Sequence, residues 1–268
     1  MKIYTSLDDF KQIDDVVLSM GMFDGVHLAH RQVLREVTEK ARALKGLSVV
    51  LSFSPHPREV LSGKPFPLIL TFPEKRELLE MAGIDIWVCM PFTPSLAALS
   101  AEEFWEMLGR KMTVRQVVLG YNHGFGKGKQ GNAQMLAKKG EAAGFGMTEL
   151  PRLQLGNLEI SSSVIREALL AGDVVTANRL LGYPFFADLA QAGLQMCDSS
   201  ENSGSQSVSL TLPAEKLLPE QGGYSARWNQ QKVIVEIIDN QKIILNFNGN
   251  APSEETLRRH PLYFIKQI

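Results

Sequence analysis

Val16-Val17-Leu18-Ser19-Met20-Gly21-Met22-Phe23-Asp24-Gly25-Val26-His27-Leu28-Ala29-His30 decides the fold. The apolar run over 16–21 reads as a buried strand, and a glycine-bounded turn follows it at once. From His30 onward Val33, Leu34, Val37, Ala41 and Leu44 recur on one helical face, so a helix is expected over 30–44. The same unit then repeats. Residues 47–53 read as a second strand, and Thr71 with Glu74 forms a capping-box pattern opening a helix to about Met81. Residues 84–90 read as a third strand, Ser100 with Glu103 repeats the capping pattern, and 116–120 reads as a fourth strand running into a glycine-rich loop. A helix over 132–143 follows. This β-α-β-α order implies an α/β fold with a Rossmann-like, mostly parallel sheet, whose ligands sit at the carboxyl ends of the strands near a topological switch point.

Beyond Gly182 the pattern changes. The polar stretch 199–207 reads as a mobile loop, 207–212 alternates as a half-buried strand does, and 233–238 and 242–247 flank an Asp239-Asn240-Gln241 turn. A small antiparallel β domain is expected there. Of 268 residues, 44% are hydrophobic, enough for one large domain or two smaller ones. The net charge of -1 disfavours a broad nucleic-acid surface but leaves room for a local anion pocket. Cys89 and Cys197 belong to no CxxC pair, which suggests neither a zinc site nor a disulfide framework. The first twenty residues mix acids with apolar residues, unlike a signal peptide, and no apolar run approaches membrane-spanning length. A cytoplasmic protein without membrane or nucleic-acid partners is the expectation.

Four segments could carry chemistry. In Gly21–His30, two histidines three residues apart at a helix start can face one phosphate chain, aided by backbone N–H groups and the positive dipole end. Read alone, the pair also describes one structural and one surface histidine; a zinc site lacks a third ligand at a plausible spacing. Ser54-Pro55-His56-Pro57-Arg58 sits at the end of the second strand, where two prolines make a stiff loop that presents His56, or simply a turn. The segment 120–132 holds five glycines in its first twelve residues together with Asn122, His123, Phe125, Lys127 and Lys129; it suits close approach of backbone to a ligand, or a flexible surface loop. In Ile160-Ser161-Ser162-Ser163-Val164-Ile165-Arg166, serines open a helix and Arg166 follows one turn later on the side of Ser162 and Ser163. Hydroxyls, N–H groups and a guanidinium make an anion site; an ordinary serine cap with a solvated arginine is the plainer alternative.

Taken in order, the four segments resemble the adenylyltransferase module of the bacterial bifunctional riboflavin kinase/FAD synthetase family, within the HxGH nucleotidylyltransferases. The resemblance runs over 16–185 and includes Leu70-Thr71-Phe72-Pro73-Glu74-Lys75, Pro91-Phe92-Thr93, Ala171-Gly172-Asp173 and Leu180-Leu181-Gly182-Tyr183-Pro184-Phe185. It implies an FMN adenylyltransferase that transfers AMP from ATP to FMN and releases pyrophosphate, in a nucleotidylyltransferase domain over 1–185. His27, His30 and Arg166 would be the catalytic residues. Gly21, Phe23, Asp24, Gly25, Asn122, Ser162 and Ser163 would bind the nucleotide, and Phe53, His56 and Phe125 would lie near the flavin. Mg²⁺ would bridge ATP phosphates, with no protein metal ligand assigned.

The chain departs from the pattern at Met22, where the family has Asn; at Ala29, where it has Gly; at His123, where an aromatic is usual; and at Ser163, which replaces Thr and keeps the hydroxyl. The tail departs further. The family's kinase domain carries a Gly-Arg-x-x-Gly-Phe-Pro-Thr-Ala-Asn-type segment, and 186–268 has none. Leu218-Pro219-Glu220-Gln221-Gly222-Gly223-Tyr224 echoes a later family phrase, and Glu236 reads as a solvent-facing strand residue. The expectation is a shortened barrel with degenerate kinase character over 186–268. A bifunctional enzyme, a non-catalytic nucleotide- or flavin-binding homologue, and transfer to another phosphate acceptor stay open as alternatives, as does the oligomeric state.

Overall fold

The computed structural model describes residues 1–197 and 205–268. The described chain divides into two compact units, Met1–Phe66 with Arg76–Gln154, and Pro67–Lys75 with Leu155–Ile268.

The first unit is built on β1 (Lys2–Tyr4), β2 (Ile13–Met20), α1 (Leu28–Leu44), β3 (Leu47–Ser54) and α2 (Pro57–Ser62). After α3 (Phe72–Met81), whose first residues belong to the second unit, come β4 (Ile86–Pro91), α4 (Pro94–Ala98), α5 (Ala101–Gly109), β5 (Met112–Leu119), α6 (Ala133–Ala143) and β6 (Gly146–Glu149). Six strands pair in the order β1-β4-β3-β2-β5-β6, every pair parallel. The sheet is the Rossmann-like one expected. Alternate β2 residues face opposite layers: Val16, Leu18 and Met20 join Phe104, Leu108 and Leu136 in one core cluster. On α1, Val33, Leu34, Val37 and Ala41 are buried as a stripe, a burial of roughly 1.5–3 kcal/mol for each large aliphatic side chain. Successive strands run outward from β2 through β3 to β4, whereas β5 lies on the other side of β2. That reversal places the topological switch at the β2 and β5 carboxyl ends. The loops after β2, β3 and β5 carry the first three sequence segments.

Local signals hold up in detail. Ser100 and Glu103 form the full capping box at the start of α5. Helix α1 begins two residues earlier than its apolar periodicity suggests, because His27 caps it. The short edge strands β1 and β6 have no sequence signal strong enough to be read.

After the strand pair β7 (Gln154–Leu155) and β8 (Leu158–Glu159), the second unit continues with α7 (Ser162–Leu170) and α8 (Val174–Leu181). Its sheet comprises β9 (Phe186–Ala187), β10 (Gly193–Cys197), β11 (Ser205–Thr211), β12 (Gly222–Trp228), β13 (Gln231–Ile237), β14 (Lys242–Asn248) and, after α9 (Glu254–Arg259), β15 (Leu262–Gln267). The seven strands form one curled antiparallel sheet in the order β10-β11-β14-β13-β12-β15-β9. The expected Asp239 turn joins β13 to β14, with the Asp239 carboxylate accepting from the backbone N–H groups of Gln241 and Lys242 at 2.8 and 2.7 Å. On β13, Val233, Val235 and Ile237 point inward and Glu236 is exposed, as its alternation requires. Of the polar stretch 199–207, residues 199–204 lie outside the described residues, and 205–207 belong to β11.

The same unit holds a buried ion pair. Lys216 and Glu74 are 2% and 1% exposed, with Nζ and Oε2 2.7 Å apart. Glu74 also accepts from the backbone N–H of Thr71 and of Asp188, each at 2.8 Å. Its capping role at Thr71 is therefore real, but its main partner comes from far along the chain.

Candidate active site

The β2–α1 turn carries a cluster of left-handed backbone. Phe23, Gly25 and Val26 have φ of 49°, 90° and 34°. Glycine tolerates this; a β-branched residue there is strained. Burial of Phe23, Asp24 and Val26, each 2% exposed, over-determines the turn and holds it. At its end the backbone N–H of His30 donates to Nδ1 of His27 at 3.3 Å. Nδ1 is thus an acceptor, which leaves Nε2 as the protonated donor nitrogen of a neutral ring. Burial holds His27 well below the usual histidine range, at about 4. The two imidazoles stack with centroids 3.6 Å apart and planes at 14°, and Phe23 packs on His30 at 5.0 Å. The stack therefore places both imidazoles together at the N-terminus of α1, where the helix dipole is positive.

At the end of β3, His56 caps α2, its Nδ1 accepting from the backbone N–H of Arg58 at 3.1 Å. The sequence reading of 54–58 as a loop alone is corrected: Pro57 occupies the first helical turn, where its missing N–H is harmless. His56 also packs on Phe66 at 4.2 Å. Phe53 lies against Phe92 and Phe104, and Phe104 in turn against Phe125. Phe53 and Phe125 therefore share one aromatic neighbour.

In the loop after β5, Asn122 adopts a left-handed φ of 59°, and its backbone N–H donates to the Glu149 carboxylate at 3.2 Å. Phe125 is a core residue, 8% exposed. Its backbone pairs with Gly131 in both directions, at 3.0 and 2.9 Å. A Cβ on Gly131 would lie 2.6 Å from the Phe125 ring and 2.8 Å from Ala101. This glycine serves packing of the loop on its own core, a reason distinct from the close ligand approach that the sequence suggests. His123 is partly exposed as a residue, yet its Nε2 is buried with no hydrogen-bond partner. That burial, and then the nearby Lys129, push its pKa down to about 4.

In the second unit, Ser161 caps α7 by accepting from the Val164 N–H, so Ser162 and Ser163 are its first two residues. Arg166, one turn on, donates from Nη1 to the Pro67 carbonyl. Nothing in the sequence pairs Arg166 with Pro67, 99 residues away. Among the described residues no group of three or more His, Cys, Asp or Glu is placed to hold a metal ion. No described helix is long and apolar enough to cross a membrane.

Comparisons with known proteins agree with this architecture. The chain is 33% identical over 189 residues to the bifunctional riboflavin kinase/FMN adenylyltransferase of Escherichia coli (strain K12), covering 69% of this chain and 60% of that one. It is 34% identical over 181 residues to the protein of the same name from Listeria monocytogenes serovar 1/2a, covering 66% and 57%. The chain spans about three fifths of the length of these curated relatives. Its fold matches a crystal structure described as a macrolide-efflux protein from Streptococcus pneumoniae, with a TM-score of 0.81, 22% identity, and coverage of 100% of this chain and 90% of that one. That likeness is one of fold. A family model described as FAD synthetase matches residues 9–164, more than half of the chain, and the chain belongs to the FAD synthetase family.

Proposed function

We propose that this protein is an FMN adenylyltransferase: the FMN phosphate attacks the α-phosphorus of ATP, a P–O bond to AMP forms, and pyrophosphate leaves. The observation that carries this reading is the His27–His30 stack at the start of α1, beside the topological switch of the parallel sheet. Adenylyl transfer needs no protein nucleophile, so catalysis is positioning and charge stabilisation. A neutral His27 whose Nδ1 is occupied by the His30 N–H presents an Nε2–H donor of defined tautomer. His30 adds a second imidazole, and both would donate to phosphate oxygens as negative charge shifts toward the leaving group. Gly21, Phe23, Asp24 and Gly25 shape the turn that brings N–H groups to the phosphates. Ser162, Ser163 and Arg166 at the start of α7 suit the triphosphate, and Asn122 the nucleotide. Phe53, His56 and the loop around Phe125 fit a flavin ring.

A Mg²⁺ ion bound with ATP would supply charge neutralisation at the phosphates, while His27, His30, Ser162, Ser163 and Arg166 would hold the nucleotide. The nucleotidylyltransferase module runs to Phe185 in this reading. The tail over 186–268 is a shortened barrel without the kinase's phosphate-binding segment, and the partners are small molecules.

Purified protein with ATP, Mg²⁺ and FMN should yield FAD, whereas riboflavin in place of FMN should yield neither FMN nor FAD. Product from riboflavin would restore a kinase role to the tail. No product from FMN, with flavin and ATP still bound, would replace the transferase reading with a binding one. His30→Ala should lower kcat about 100-fold or more with the protein still folded; unchanged turnover would remove His30 from the mechanism.

A further inference from the structure

We propose that the tail takes part in nucleotide binding: Lys216 is a positioning residue that sets the Arg166 guanidinium through the backbone of residues 67–69. The inference rests on the reading of Arg166 as a triphosphate-binding residue.

Lys216 is saturated. Its three N–H donors meet the Glu74 carboxylate at 2.7 Å, the Phe186 carbonyl at 2.7 Å and the Ile69 carbonyl at 2.8 Å. The Phe185 ring lies 4.5 Å from Nζ. The backbone on either side of Lys216 clamps the same segment. The Leu68 N–H donates to the Glu215 carbonyl at 2.6 Å, and the Leu217 N–H donates to the Leu68 carbonyl at 2.7 Å. Residues 68 and 69 are thus held by main chain and side chain together. The Pro67 carbonyl shares a planar peptide unit with the Leu68 N–H, so its direction follows from where that N–H is held. That carbonyl is the acceptor for Arg166 Nη1. Holding one N–H of the planar guanidinium restricts the orientations in which its other donors can meet a phosphate, and bidentate recognition depends on that orientation.

A buried ion pair of this kind also has a purely structural reading, in which it holds the second unit together and nothing more. The two readings differ in what they move. A structural loss lowers stability and disturbs every substrate; a positioning loss falls on ATP and acts only while Arg166 is present.

The test uses the full chain. Lys216→Met retains the length of the stem, and the companion Lys216→Met/Glu74→Gln removes the carboxylate charge that the single change would leave buried. In folded variants, KM and Kd for ATP should rise about tenfold while KM for FMN stays within about twofold. In an Arg166→Ala background the same changes should have no further effect on ATP. An unchanged ATP constant, an equal rise for FMN, or a full additive effect without Arg166 overturns the proposal. Should neither variant fold, the wild-type protein supplies the answer by reciprocity. ATP with Mg²⁺ should slow hydrogen exchange at the Leu68 and Leu217 amides, and should not do so in Arg166→Ala. Exchange unaffected by ATP overturns the proposal. Failure of the functional reading shows separately: protection by ATP without FAD formation leaves the positioning role standing and removes the acceptor assignment.

Discussion

His123 keeps an imidazole nitrogen out of water without a partner. Its pKa of about 4 lies below the ordinary 6.5, so on acidification the unfolded chain takes up the proton first. The stabilisation is therefore whole above about pH 6.5 and is lost as pH falls toward 4; His27 titrates in the same sense. His123→Phe removes one of these two protons. Its Tm relative to wild type should rise on going from pH 8 to pH 5, by an amount on the order of 2 kcal/mol in stability; a difference that does not change with pH would clear His123 of the effect. Ala29, half-buried in the first turn of α1, is the other departure with a direct test. If its methyl crowds the nucleotide, Ala29→Gly should tighten ATP binding in calorimetry, and unchanged or weaker binding would show that the methyl is accommodated. The residue types at this site were legible in the sequence, but their second jobs were not. Histidine is an uncommon helix cap, so nothing in the spacing of His27 and His30 announces that one ring accepts the other's backbone N–H.

Among elements, those with strong periodicity or explicit punctuation could be read in advance: β2 and α1 from their apolar patterns, α5 from Ser100 and Glu103, the β13–β14 hairpin from Asp239. What escaped were elements whose stability comes from neighbours. β1 is three residues long and exists by pairing with β4, and β12 begins with two glycines and gains its order from β13 and β15. The glycine-rich loop after β5 belongs with these. Its pattern suggests mobility or ligand contact, whereas Gly131 is wedged between Phe125 and Ala101. Gly131→Ala should destabilise the protein by about 1–3 kcal/mol in denaturant unfolding, because the added methyl meets a buried ring and backbone-anchored neighbours. A variant as stable as wild type would show that the loop yields easily, and would return the glycine to the ligand-approach reading.

For the molecule as a whole, the parallel character of the first sheet was legible in the sequence, but the order of its strands was not. Family resemblance draws a line at Phe185, while contacts group α7, α8 and residues 67–75 with the tail. Periodicity reports only on neighbours in sequence, and Glu74 and Lys216 stand 142 residues apart. That distance has a consequence for how the protein is made. At a synthesis rate of about 5–20 residues per second, Glu74 leaves the ribosome roughly 7–30 s before the lysine that neutralises it. For that interval Glu74 lacks its lysine and Leu68 lacks the backbone of residues 215 and 217, so the nascent chain carries an unfinished segment in the midst of an otherwise locally foldable β-α-β array. Until that lysine emerges, Pro67 to Lys75 is a segment whose final hydrogen bonds are still to be made.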